Sequence, residues 1–132
     1  MTTIPRIRPY LLYEDVAGAL DWLGKAFGFR ERMRIPGKDG KVLHAEMDVA
    51  DDGTILMGCP GADYRNPRHL GATTQSLYVR VDDVDAHHAR AQSAGAHIIE
   101  APADQDYGDR RYGAEDPEGH QWYFAQAIGK TG

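Results

Sequence analysis

Cysteine is nearly missing from this sequence of 132 residues: Cys59 stands alone. That excludes an intrachain disulfide framework and a cysteine-built zinc cluster, and nothing beside Cys59 supports it as a nucleophile. Basic residues are outnumbered, 15 Lys and Arg against 20 Asp and Glu, and form no run or stripe that could track a phosphate backbone. A nucleic-acid partner is not expected. Long apolar runs are also lacking, since none approaches the roughly 20 residues that span a bilayer. The opening "MTTIPRIRPY" has neither the basic nor the apolar region of a secretory signal. A cytoplasmic protein with no membrane partner is the expectation, in one compact domain or two tightly fused sub-modules.

What is present is an internal repeat. "YLLYEDVAGALDWLGKAFGF" and "SLYVRVDDVDAHHARAQSAGA" each run from strand-like residues through an Asp-Val pair into a helical pattern that ends at glycine. In the first copy Val16, Leu20, Leu23 and Phe27 share a helix face, Asp15 is placed to cap the start and Gly28 the end. The second copy has a thinner stripe of Val84, Ala91 and Ala94, ending at Gly95. Downstream, "MDVADDGTILMG" turns at Gly53 and "AEDPEGHQWYFAQ" turns at Gly119. The interval from Asp15 to Asp83 and that from Gly53 to Gly119 differ by only two residues, so the copies keep nearly one register.

Each copy therefore reads as strand, helix and about three strands. The expected strands are residues 6–13, 31–35, 42–49 and 54–59, then 75–81, 97–100, 110–115 and 121–127. Repeat units of about 5–59 and 75–128 are joined by a linker, residues 60–74, whose "PGADYRNPRHLGATT" is rich in turn formers and reads as a mobile surface loop or flap.

A duplicated βαβββ unit carrying "PYLLYEDVAGALDWLGKAFGF", "GKVLHAEM", "LYVRVDDVDAH" and "YGDRRYGAEDPEGHQW" resembles the vicinal oxygen chelate superfamily of glyoxalases, extradiol dioxygenases and bleomycin resistance proteins. The wording is nearest its glyoxalase-like, PhnB-like branch, which includes small proteins that sequester peptide antibiotics. The resemblance covers about residues 5 to 128. It implies an α+β fold, two βαβββ units forming a curved, incomplete mixed-sheet barrel around a cleft, and a homodimer.

Metal-dependent members of that superfamily place His or Gln on the first strand and Glu on the last strand of each unit. Counted from the capping aspartates and turn glycines, the matching positions are Arg8 and Met57 (or Leu56 if the first copy is shifted by one), then Ser76 and Tyr123. Arg and Leu offer no lone pair, a thioether suits hard ions poorly, and neutral Ser and Tyr are weak ligands. No metal and no other cofactor is therefore expected. By strand alternation the cleft-facing sets are Arg8, Tyr10 and Leu12; Ser76, Tyr78 and Arg80; and Gln121, Tyr123 and Ala125.

Other residues have two readings each. His44 and Glu46 share a strand face, either as a general acid/base pair or two legs of a metal site, or as an ordinary polar face. His87 and His88 point about 100° apart on a helix, which suits one ring against the core and one in solvent. His120 follows a turn glycine, where it positions the turn or lies at the cleft rim. Trp122 and Phe124, alternating with Tyr123, belong with the helix layer, whereas Trp22 lies off the centre of its helix's apolar stripe. Tyr107, Arg110 and Arg111 flank a glycine turn where long polar side chains can meet a ligand, although Arg110 could equally pair with Asp109 or Asp116.

The function expected from these residues is metal-independent binding of an aromatic or peptide-like small molecule, such as an antibiotic. The ligand-binding set is Arg8, Tyr10, Met57, Ser76, Tyr78, Tyr107, Arg110 and Tyr123, with no catalytic residue. The alternative is a glyoxalase-like lyase or isomerase with a relocated metal or acid/base site around His44, Glu46 and His120.

Overall fold

The computed structural model describes residues 4–129. The chain divides into two compact units, with the boundary between Asn66 and Pro67.

In the first unit, β1 (Tyr10–Leu12) leads into α1 (Val16–Phe27), followed by β2 (Arg30–Pro36), β3 (Val42–Ala50) and β4 (Gly53–Gly58). The strands form one sheet in the order β1-β4-β3-β2, with β1 parallel to β4 and the other pairs antiparallel. Asp15 accepts a hydrogen bond from the Gly18 N–H at 2.9 Å, so a side-chain oxygen satisfies one of the free donors of the first turn. Gly28 closes the helix at φ 78°, a left-handed conformation that costs glycine little. The buried side of α1, with Val16, Leu20, Leu23 and Phe27, faces Ala45, Met47, Ile55 and Met57 of the sheet. Each large apolar side chain buried this way contributes about 1.5–3 kcal/mol. Trp22 packs edge-on against Phe27, ring centroids 5.0 Å apart.

The second unit repeats the plan. A single helical turn, α2 (Pro67–Leu70), precedes β5 (Ser76–Arg80), α3 (Val84–Ser93), β6 (His97–Asp104), β7 (Asp109–Glu115) and β8 (Gln121–Ala127). The sheet order β5-β8-β7-β6 matches the first, and again the first and last strands pair in parallel. Asp83 caps α3 through the Ala86 N–H at 3.1 Å. Trp122, Phe124, Tyr112 and Ala114 lie fully buried against the helix side, as strand alternation requires. The fold is thus α+β, with two open four-stranded mixed sheets of repeated topology.

Four expectations need correction. The first strand is Tyr10–Leu12 and not residues 6–13, because Pro5 and Pro9 lack the N–H a strand needs; the Pro9 carbonyl does bond to the Leu56 N–H at 2.8 Å. Strand β6 runs on to Asp104, beyond the expected end at residue 100, by way of register shifts that absorb extra residues. His87 and His88 both rest on Tyr112, at 5.8 and 5.1 Å between ring centroids, so neither is simply solvated. The linker, finally, is tied down on each side of the boundary. In the first unit the Tyr64 hydroxyl donates to the Leu12 carbonyl at 2.9 Å and the Asn66 N–H donates to Glu14 at 2.9 Å. In the second, the Arg68 N–H donates to the Glu118 carbonyl at 3.0 Å and its Nε to the Pro117 carbonyl at 2.8 Å.

Candidate functional site

Each sheet has one face covered by its helix and one free of it, and register decides which side chains share the helix-free face. In the second unit, Tyr78, Tyr123, Gly113 and Glu100 are cross-strand neighbours in one row, with Arg80, Ala125, Arg111 and Ala103 in the next. Ser76, Gln121, Glu115 and His97 form the row on the other side.

These rows assemble a directional network. The Tyr78 hydroxyl donates to Asp109 Oδ2 at 2.7 Å, which uses its only proton. Its 3.1 Å contact with Tyr107 must therefore be a donation from the Tyr107 hydroxyl. Tyr107 in turn accepts from Arg111 Nη1 at 3.2 Å. The order runs Arg111 to Tyr107 to Tyr78 to Asp109, and neither end can reverse it, since guanidinium cannot accept and carboxylate cannot donate. Arg111 is held further by a two-pronged pair with Glu100, at 2.7 and 3.1 Å. That pairing raises its pKa, partial burial opposing it. The Tyr78 phenol is also pushed up, by desolvation first and then by its bonds to Tyr107 and Asp109.

A flat aromatic surface adjoins the network. A methyl carbon added at Gly113 would stand 2.7 Å from Tyr123 Cε2 and 3.0 Å from Cδ2, so the tyrosine ring lies down across the glycine. The Arg111 guanidinium sits 5.1 Å from the ring centroid, within the range of a cation–π contact. Tyr78 and Tyr107 remain half exposed, at 50% and 53%. Chemically, this face offers a π-surface beside hydroxyl and carboxylate lone pairs, a surface for a planar group carrying N–H or O–H donors.

In the first unit the corresponding rows are Tyr10, Leu56, Glu46 and Met33, then Leu12, Gly58, His44 and Ile35. The Tyr10 hydroxyl is hydrogen-bonded to His44 Nδ1 at 2.9 Å, and His44 Nε2 lies 3.5 Å from Glu46 Oε2. Tyr10 also lies on a glycine: a methyl carbon at Gly58 would stand 2.6 Å from its oxygen. His44 and Glu46 therefore do come together, with a tyrosine added that spacing along the chain does not reveal.

The other candidates fall elsewhere. Met57 is fully buried on the helix side, and Leu56 takes the place opposite Tyr10. The reason is a register shift between Asp48 and Ala50 and a strand that starts at Gly53 itself, whereas β8 starts two residues after Gly119. Arg110 points to the helix side, where it pairs with Asp85 at 3.2 Å and Asp104 at 3.1 Å and not with Asp109 or Asp116; Arg111 is the one on the helix-free face, beside Tyr107. Arg8 is exposed ahead of β1, and Ser76 is exposed at the end of the second-unit face. His120 belongs to the β7–β8 turn, its N–H held by Asp116 Oδ1 at 3.1 Å. The buried Asp116 also accepts from the Glu118 N–H at 3.0 Å and from Trp122 Nε1 at 3.2 Å, and is the keystone of that turn.

At the four positions that the resemblance assigns to metal ligands, with Leu56 in place of Met57, stand Arg8, Leu56, Ser76 and Tyr123, a donor set that does not fit a divalent ion. Among the described residues no three His, Cys, Asp or Glu side chains gather as a metal site, and no helix is long and apolar enough to cross a membrane. A polar cavity of about 250 Å³ in the second unit is lined by Arg68, Thr73, Glu115 and Gln121, among others.

A family model described as the Glyoxalase/Bleomycin resistance protein/Dioxygenase superfamily matches residues 3–124. An uncharacterized protein from Mycobacterium bovis is 37% identical over 130 residues, covering 94% of this chain and 84% of its own. TioX from Micromonospora sp. ML1 is 34% identical in its crystal structure, with a TM-score of 0.75 over 92% of this chain and 99% of that one. A PhnB protein from Bacillus cereus, a putative 3-demethylubiquinone-9 3-methyltransferase, is 14% identical and has a TM-score of 0.66 over 92% of this chain and 99% of its own, a likeness of fold alone.

Proposed function

The chain belongs to the Glyoxalase/Bleomycin resistance protein/Dioxygenase superfamily, and from that premise we propose that it binds an aromatic or peptide-like small molecule, such as an antibiotic, without a metal ion. It would act as a cytoplasmic binding protein, in a homodimer, shielding its ligand. The observation that carries this reading is the helix-free face of the second sheet, where Tyr123 lies flat beside the Arg111–Tyr107–Tyr78–Asp109 network. A planar group stacks on the ring, and amide N–H groups of a peptide-like ligand donate to the phenol and carboxylate oxygens. The superfamily's own description includes resistance proteins, which agrees with a ligand-holding role.

The test is a panel of aromatic antibiotics, bleomycin included, titrated against the intrinsic fluorescence of the two Trp and seven Tyr. Saturable binding is expected, weakened about tenfold by Tyr123→Ala, with the thermal midpoint of the free protein nearly unchanged; aromatic contacts of this kind are worth about 0.5–1.5 kcal/mol. Binding indifferent to both Tyr78→Ala and Tyr123→Ala would place the site elsewhere. Elemental analysis tests the metal-free part: stoichiometric Zn, Ni, Fe or Mn that is lost on His44→Ala would overturn it.

A further inference from the structure

We propose that Tyr10, His44 and Glu46 form a second, catalytic site on the first unit, in which Tyr10 Oη is a nucleophile that accepts an acyl group from an activated ester. The arrangement has the order such chemistry needs: a nucleophile hydrogen-bonded to a base, and a carboxylate beside the base to orient it. Tyr10 Oη lies 2.9 Å from His44 Nδ1, and Glu46 Oε2 lies 3.5 Å from Nε2. The second distance is loose, as contacts of this type commonly are before a substrate binds. In the tautomer that keeps its proton on Nε2, the nitrogen nearer the carboxylate, Nδ1 carries the lone pair that receives the phenol proton.

Accessibility divides the three residues by role. Tyr10 is 51% exposed, whereas the side chains of His44 and Glu46 are 24% and 23% exposed. The nucleophile thus meets solvent while the base and its partner sit behind it. The hydroxyl is also fixed in place, since the bare Gly58 backbone is what lets Tyr10 reach across β4 to His44 on β3. Leu12, Leu56, Met33 and Ile35 share the face, an apolar margin suited to an aryl or alkyl group. The substrate class is therefore an aryl ester or another ester with a good leaving group and a small acyl part.

The step balances as follows. As the phenol O–H bond breaks, its proton passes to His44 Nδ1 and its electron pair forms a bond to the acyl carbon. The ester C–O bond then breaks, and the leaving oxygen takes the proton back from His44. Glu46 is a positioning residue, holding the imidazole and stabilising its charged form. Water, activated by His44, hydrolyses the O-acyl-tyrosine and restores the phenol.

The test uses p-nitrophenyl acetate and the intact protein, with acetylation located by peptide mass spectrometry. Tyr107, 53% exposed, is the internal reference because its exposure matches that of Tyr10. Tyr10 should be acetylated about a hundredfold faster than Tyr107, the lower end of what a positioned base supplies, with a burst of p-nitrophenolate equimolar with protein. His44→Ala should remove the preference and the burst. Glu46→Gln should slow the saturating rate while leaving the half-saturating ester concentration unchanged, a split that general unfolding would not produce. Equal labelling of Tyr10 and Tyr107, or Tyr10 labelling that survives His44→Ala, would overturn the proposal.

Discussion

Replacing Gly113 by alanine tests the flat placement of Tyr123 directly. The new methyl carbon would lie 2.7 Å from Tyr123 Cε2, 3.0 Å from Cδ2 and 3.1 Å from Ile99 Cγ1, all inside ordinary contact distance. The ring must lift, and in doing so it leaves the guanidinium of Arg111, now 5.1 Å from its centroid. Overpacking of this kind costs about 1–3 kcal/mol. Against that stands a gain of about 0.5–1 kcal/mol from removing a glycine within a strand, so a net loss of about 1 kcal/mol is expected. In a Tyr123→Ala background the main clash is gone, and Gly113→Ala should become neutral or slightly stabilising. Urea unfolding of the four proteins of this double-mutant cycle gives the coupling, expected at about 1 kcal/mol or more. An equal cost of Gly113→Ala in both backgrounds would mean that the ring is not what the glycine accommodates. Ligand affinity should follow the same cycle, falling with Gly113→Ala only when Tyr123 is present.

Other outcomes follow from single contacts. Asp116→Asn leaves one oxygen where two oxygens now serve three donors, at a cost of about 1–3 kcal/mol visible as a lower thermal midpoint. Asp15→Ala removes the cap of α1 and should cost about 1 kcal/mol in urea unfolding. The Tyr112 phenol is raised by burial and that of Tyr78 by desolvation and its hydrogen bonds, so both should stay protonated in an ultraviolet titration after ordinary tyrosines, near pH 10, have ionised. Because the unfolded state loses these protons first, their contribution to stability is complete below about pH 10 and disappears as pH rises toward the folded-state values. Tyr112→Phe should flatten that alkaline loss of stability.

Repeat, topology and core were readable from the chain because they rest on local patterns. Asp15 and Asp83 mark helix starts, and the alternation of Trp122, Tyr123 and Phe124 assigns each to a face. Met57 shows where that logic breaks: a single extra residue in a turn flips every side chain after it, so counting from Gly53 landed on the wrong face. The linker misled through composition, since Pro and Gly say nothing of hydrogen bonds from Tyr64, Asn66 and Arg68 to distant backbone or side chains. Tyr10 and His44 stand 34 residues apart and meet only because β4 lies between their strands with a glycine at the crossing. No linear spacing encodes that meeting. Arg110 and Arg111 were adjacent and chemically alike, and only the strand register of β7 separates the one that faces Asp85 from the one that faces Tyr107.

The tyrosine-on-glycine pairs also bear on how such a surface can change over time. Tyr123 with Gly113, and Tyr10 with Gly58, are each one steric unit written at two distant positions. A lineage that acquires a side chain at the glycine must give up the reclining ring, and one that loses the tyrosine releases the glycine from its constraint. Related chains should therefore keep or abandon both members together, and a tyrosine retained without its glycine marks a surface that has already turned to another use.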